Sequence, residues 1–161
     1  MIFLFSGIPA AGKSEFCRFL ARDYSFAHYD LECFPRGWPH PELKELWDRD
    51  PADFVRQLSS THARVALDWG FPPGCRAIVE ELLRGGVRLI WFSADIGQAR
   101  LRFIERGGID VANFDRQVDE IARTDLPHAL EAIEIETLNS NGDFLGRDEI
   151  FHQLRKVLCS A

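Results

Sequence analysis

Eight residues near the start constrain this chain more than any other stretch. Ile2-Phe3-Leu4-Phe5 is a short apolar run of the kind that forms a buried strand, and it passes through Ser6 into Gly7-Ile8-Pro9-Ala10-Ala11-Gly12-Lys13-Ser14. That octapeptide has the pattern G-x-x-x-x-G-K-[ST], and from Ser14 to Arg22 the residues Phe16, Phe19 and Leu20 fall on one helical face. A strand, a glycine-bracketed loop and a helix in that order make an anion nest. Glycines let the backbone curl so that several N–H groups converge, and the helix adds free N–H groups and the positive end of its dipole. A lysine at a helix start is costly unless an anion meets it. Gly7 to Ser14 are therefore candidate nucleotide-phosphate contacts, with Lys13 reaching the outer phosphates and the Ser14 hydroxyl on Mg²⁺.

The rest of the chain alternates apolar runs with helical patterns. Strands are predicted at Phe26–Tyr29 (ending at Asp30), Val65–Leu67 (ending at Asp68), Val87–Phe92 and Ile133–Leu138. Helices are predicted near Pro41–Asp48 and over Asp53–Ser60, 75–84, Ile96–Arg106, 112–123 and Arg147–Leu158, with Gly85-Gly86 and Gly107-Gly108 as stops. Asn139 to Gly146 reads as a loop. Five strands alternating with helices imply a mainly parallel sheet covered on both faces. Ligands of such sheets collect at the carboxyl ends of the strands, where Ser6-Gly7, Asp30, Asp68 and Asp95 would meet. One domain spanning 1–161 is expected.

Charge and composition narrow the partners. The 161 residues are 46% hydrophobic and 27% charged, which excludes disorder and fibrous designs. A net charge of -6 argues against nucleic acid as a general partner, because phosphate backbones need a basic face. No apolar run approaches a membrane span, and Met1–Phe5 lacks the basic flank of a leader. Cys17, Cys33, Cys75 and Cys159 lie far apart without a CxxC pair, so they read as reduced thiols, and a cytoplasmic location is expected. The five histidines form no metal-spaced pair.

A guanine-specific GTPase is disfavoured. Asn139-Ser140-Asn141-Gly142-Asp143 supplies no N-K-x-D motif, and Asp68-Trp69-Gly70 misses D-x-x-G by one residue. The arrangement instead resembles the small P-loop kinases related to zeta toxins, chloramphenicol phosphotransferase, gluconate kinase and the polynucleotide kinase domain. It is most similar to the compact AAA_33-type kinases. The resemblance rests on the G-x-P-x-x-G-K-S loop, Asp30, the segment Val65 to Phe71 followed by Arg76, and a helix carrying Arg100, Arg102 and Arg106. It implies a three-layer α/β P-loop NTPase fold with a five-stranded parallel sheet of order 2-3-1-4-5. It also implies ATP- and Mg²⁺-dependent phosphoryl transfer to a hydroxyl, an acceptor-binding flap near 33–60 and a lid near 95–123.

Roles follow, each beside a plainer reading. Asp30 would accept the proton of the acceptor hydroxyl and orient it, with Glu32 as an understudy; otherwise it is a turn or capping acid. Asp68 would hold a water of the Mg²⁺ shell or bind the acceptor; otherwise it caps a helix. Arg102 and Arg106, four apart on one helical face, would stabilise the transferring phosphoryl group; otherwise they are a solvated flank pairing acids such as Glu105. Arg76 would bind an anionic acceptor or lie on the surface. Phe34, Trp38, Trp47 and Trp69 read as core or flap aromatics, with Trp38 or Trp69 as pocket candidates. The expected activity is a kinase acting on a small-molecule hydroxyl. The rivals are a polynucleotide 5′-hydroxyl kinase, using a basic channel with Arg36 and Arg76, and an ATP-binding module that transfers nothing. A nucleoside monophosphate kinase is weaker, because no long lid insertion with paired arginines is evident. The acceptor and the oligomeric state are not legible.

Overall fold

The computed structural model describes residues 1–32, 38–107 and 110–159. Among them the chain alternates strand and helix: β1 Ile2–Gly7, α1 Lys13–Tyr24, β2 Ala27–Asp30, α2 Lys44–Arg49, α3 Pro51–Thr61, β3 Val65–Asp68, α4 Arg76–Arg84, β4 Arg88–Ala94, α5 Ile96–Glu105, α6 Val111–Thr124, α7 Leu126–Ala129, β5 Ile133–Leu138 and α8 Arg147–Leu158. The sheet is five-stranded in the order β2-β3-β1-β4-β5, and every pairing is parallel. This is the expected α/β architecture.

Side chains alternate across a strand, so register decides which residues share a face. Phe5 lies opposite Asp68, and Asp68 opposite Asp30. Phe3, Phe5, Ala66, Asp68, His28 and Asp30 therefore project to one side and Leu4, Leu67 and Tyr29 to the other. The first side meets α1, where the Phe5 and Phe16 rings make an edge contact at 5.6 Å. Helix α8 joins that layer: Phe151 stacks on Tyr24 at 3.8 Å. The second side meets α3, with Tyr29 and Phe54 in edge contact at 5.8 Å, and α4, whose Val79 and Leu82 are buried. Burial of large aromatics on both faces, including Phe3, Phe5, Tyr29, Phe54, Trp91 and Phe92, adds a large share of the apolar driving force.

Local chemistry explains most of the boundaries. Asp50, Asp95 and Asp110 each cap a helix by accepting from the backbone N–H three residues on, at 2.9 Å in all three cases. Pro41 opens a single 3-10 turn ahead of α2, and Pro51 opens α3. The short helix α7 was not expected. Asp125 ends α6 at a positive φ of 45°, and Pro127 then starts one further turn. A turn this short carries no periodic signal.

Trp38 and Trp47 are both buried, and Trp38 Nε1 donates to the Asp30 carbonyl at 2.6 Å. Trp38 thus belongs to the wall behind β2. Cys33, Phe34 and Arg36, which begin the expected acceptor flap, lie outside the described residues.

Candidate active site

The loop between β1 and α1 is built by backbone geometry that the sequence makes possible. Gly7 has φ 135° and Gly12 has φ 89°, and Ala10 between them is also left-handed at φ 66°. A Cβ on Gly7 would lie 2.2 Å from the Phe92 carbonyl oxygen, so β1 can run this close to β4 only without a side chain there. The Ile8 N–H donates to that same oxygen at 3.0 Å, and Ala11 N–H donates to the Ile8 carbonyl at 3.2 Å. Thr137 on β5 ties the far side down. Its buried hydroxyl lies 2.8 Å from the Ala11 carbonyl and 3.1 Å from that of Ser93. Thr137→Val should cost about 1–3 kcal/mol, because a buried acceptor loses its donor, and urea unfolding would read the loss as a lower midpoint.

Lys13 begins α1 and is partly buried. Its Nζ donates to the Ile8 and Gly7 carbonyls at 3.2 and 3.4 Å. Burial lowers its pKa below the ordinary lysine value, while the carboxylates of Glu32 and Asp68 act the other way and Arg106 adds to the lowering. One ammonium, one guanidinium and two carboxylates thus share a small volume at the strand ends.

Two cavities meet at this point. One, of 430 Å³, is lined by Ala10, Gly12, Lys13, Ser14, Glu15, Arg18, Arg102, Glu105, Arg106 and Phe144. The other, of 360 Å³, is lined by Pro9, Lys13, Ser14, Glu32, Asp68, Trp69, Gly70, Phe103, Arg106, Asn113, Phe114 and Gln117, with Pro72 at its edge. Lys13, Ser14 and Arg106 belong to both. A charged junction therefore joins a phosphate-loop chamber to a second chamber that carries acids and amides.

The expected site residues distribute unevenly over this geometry. Ser14 and Arg106 line both chambers and Asp68 lines the second. Arg102 faces the first chamber only; it pairs with Glu105 at 3.1 Å, donates to the Gly142 carbonyl at 3.1 Å and lies 5.7 Å from the Phe144 ring centroid. Arg100 is turned away onto α6, where it makes a two-pronged pair with Asp115 at 2.8 and 3.1 Å. Arg76 pairs with Glu80 along α4 at 2.7 Å and lines neither chamber. Asp30 also lines neither chamber; its Oδ1 accepts from the Glu32 N–H at 3.0 Å. Of the two, Glu32 is the carboxylate that reaches the cleft, and its Oε1 accepts from the Gly70 N–H at 2.6 Å. Gly70 suits that contact, because a Cβ there would lie 2.7 Å from Glu32 Oε1 and 3.6 Å from Lys13 Nζ.

Some cleft residues were not anticipated. Phe103, Phe114, Asn113 and Gln117 bring α5 and α6 over the second chamber, with the two rings 5.2 Å apart. Phe144 is 47% exposed and packs against Gly12, so the loop after β5 borders the first chamber. Asp68 is 3% exposed, and among the described residues its Oδ2 has no hydrogen-bond donor, although His28 Nε2 lies 3.4 Å away. Cys17 stands one turn after Lys13 on α1, and burial pushes its thiol pKa well up.

No family model and no curated protein matches the chain. Solved structures do. A shikimate kinase from Bacteroides thetaiotaomicron is similar over 100% of this chain and 99% of its own, with TM-score 0.59 and 16% identity. A gluconokinase from Sinorhizobium meliloti is similar over 98% and 89%, with TM-score 0.55 and 15% identity. The YorR protein from Bacillus subtilis, solved in complex with phosphorylated GDP, is similar over 98% and 95%, with TM-score 0.61 and 13% identity. The fold is thus that of the P-loop kinases. No helix among the described residues is long and apolar enough to cross a membrane.

Proposed function

We propose that this chain is a P-loop phosphotransferase that moves the γ-phosphoryl group of ATP to a hydroxyl of a small molecule. The observation that carries the reading is the shared border of the two chambers at Lys13, Ser14 and Arg106. A transferring phosphoryl group needs positive charge on its equatorial oxygens and donor and acceptor on opposite sides in line. A junction with one ammonium and one guanidinium, entered from two sides, meets that need. Full-length likeness to a shikimate kinase and a gluconokinase, both named for small acceptors, adds support.

In this reading the first chamber takes ATP. The N–H groups from Gly7 to Ser14 cradle its phosphates, and Arg102 with Phe144 borders the base. The second chamber takes the acceptor, between Trp69, Phe103 and Phe114, with Asn113 and Gln117 offering hydrogen bonds to hydroxyls. Glu32 accepts the proton of the attacking hydroxyl and aims its oxygen at the junction, held by the Gly70 N–H. Asp30, two residues earlier at the end of β2, holds the Glu32 backbone. Arg106 and Lys13 stabilise the charge that spreads in transfer. Mg²⁺ suits the hard oxygen donors Ser14, Asp68 and Glu32, and when bound it neutralises phosphate charge. The acids in the second chamber work against a polyanionic acceptor such as a polynucleotide end. Arg76, suggested for such a channel, is tied to Glu80 outside it.

Calorimetric titration with a non-hydrolysable ATP analogue and Mg²⁺ tests the nucleotide half, with saturable one-to-one binding expected. For the acceptor half, Glu32→Gln should slow turnover by ~10²-fold or more with nucleotide affinity nearly unchanged, and Asp30→Asn should have the smaller effect. The reverse order in steady-state kinetics would return the proton-accepting role to Asp30. Nucleotide binding with no transfer to any hydroxyl would leave a binding module.

A further inference from the structure

We infer that Cys17, His28 and Asp68 form a binding site for one divalent cation of the zinc class, clamping α1 to β2 and β3 directly beneath the phosphate loop. The site shares Asp68 with the proposed Mg²⁺ donors, but it rests on its own geometry and is tested without nucleotide. One ligand atom from each of the three side chains lies within 4.8 Å of the other two. Register and helical spacing bring them together: His28 and Asp68 project from neighbouring strands toward the α1 layer, and Cys17 comes down from α1. The His28–Asp68 pair is already 3.4 Å apart. Metal–ligand bonds of about 2.0–2.3 Å at tetrahedral angles require separations of about 3.3–3.6 Å in a set with one thiolate, so contractions of up to about 1.5 Å complete the set.

A second observation points to a ligand here. Asp68 is 3% exposed, and among the described residues its Oδ2 and His28 Nε2 have no hydrogen-bond partner; their nearest polar contact is one another, at 3.4 Å. Buried polar atoms are rarely left in that state, and two orphans facing one another beside a thiol are better explained by a shared cation. The donor set decides which one. A thiolate and an imidazole favour zinc over magnesium, and an open fourth position accepts water. Asp68 also borders the 360 Å³ chamber, which supplies an entry path.

The test uses the full chain carrying Cys159→Ser, which removes an exposed thiol without touching the site. The protein is stripped with a chelator and titrated without nucleotide, with Zn²⁺ against a chromophoric competitor and with Co²⁺ by absorption. One Zn²⁺ per chain is expected, along with a thiolate-to-cobalt charge-transfer band and a rise in melting temperature with Zn²⁺. Cys17→Ser should abolish the band, and His28→Gln should weaken Zn²⁺ by at least ~10-fold, the scale at which even outer-shell changes act. Cys17→Ala serves if the serine variant does not fold. A parent that takes up no Zn²⁺ saturably overturns the proposal. So does a parent whose affinity and cobalt spectrum persist in the Cys17 and His28 variants. Neither result bears on phosphoryl transfer.

Discussion

Lys13→Ala should reduce phosphoryl transfer by about 10³-fold or more while the protein stays folded. Among the described residues Lys13 is the one ammonium at the border of both chambers, where it stands with Arg106 against Glu32 and Asp68. In a partly dry cleft a charge aimed at developing negative charge acts with little screening, so its removal is felt mainly in turnover. The folded state loses little, because the bonds from Nζ to the Ile8 and Gly7 carbonyls are long, at 3.2 and 3.4 Å. Loss of activity with an unchanged circular dichroism spectrum and melting temperature is the expected pair of results. A variant that retains more than a tenth of wild-type turnover would remove Lys13 from the chemistry.

The largest effect on stability should come from Gly7→Ala, at about 3 kcal/mol or more. Two costs coincide there. At φ 135° an L side chain is strained, and the added Cβ would sit 2.2 Å from the Phe92 carbonyl oxygen and 2.6 Å from the Phe92 nitrogen. Relief requires β1 to part from β4, at the point where Ile8 N–H donates to that same carbonyl. Because β1 and β4 are the middle of the sheet, the damage reaches the loop as well. Denaturant unfolding of Gly7→Ala beside Gly74→Ala is the measurement. Gly74 has nothing near a built Cβ, so its variant should fall close to wild type.

The framework was legible because its signals are local. The octapeptide, the apolar runs and the glycine stops define strand, loop and helix within a few residues of where they occur. The order β2-β3-β1-β4-β5 came from the resemblance rather than from periodicity, and the structure has it. The site was legible only in part. Asp30 and Glu32 are two apart at a strand end, and the sequence does not say which side chain turns into the cleft; a hydrogen bond from Gly70, 38 residues on, settles Glu32 there. Arg102 and Arg106 share a helical face, but Arg106 borders both chambers while Arg102 borders only the first, where the loop after β5 holds it. Phe144 and Asn113 enter the cleft by tertiary packing, for which no local pattern exists. The Cys17, His28 and Asp68 cluster did leave a trace: Cys17 is four residues beyond Lys13 on a helix, and His28 is two before Asp30 on a strand. Each spacing keeps the pair on one face. Metal spacing within the histidines or within the cysteines does not reveal this set, because its members come from α1, β2 and β3.

The proposed activity requires phosphoryl transfer across the Lys13–Ser14–Arg106 junction. The direct measurement is incubation of the purified chain with γ-labelled ATP, Mg²⁺ and pools of small hydroxylated metabolites, with products resolved by mass spectrometry. The predicted result is a labelled phosphate monoester of one acceptor class, formed by the wild type and missing with Lys13→Ala. Label that remains on ATP, or passes only to inorganic phosphate, across the whole set of pools would contradict it.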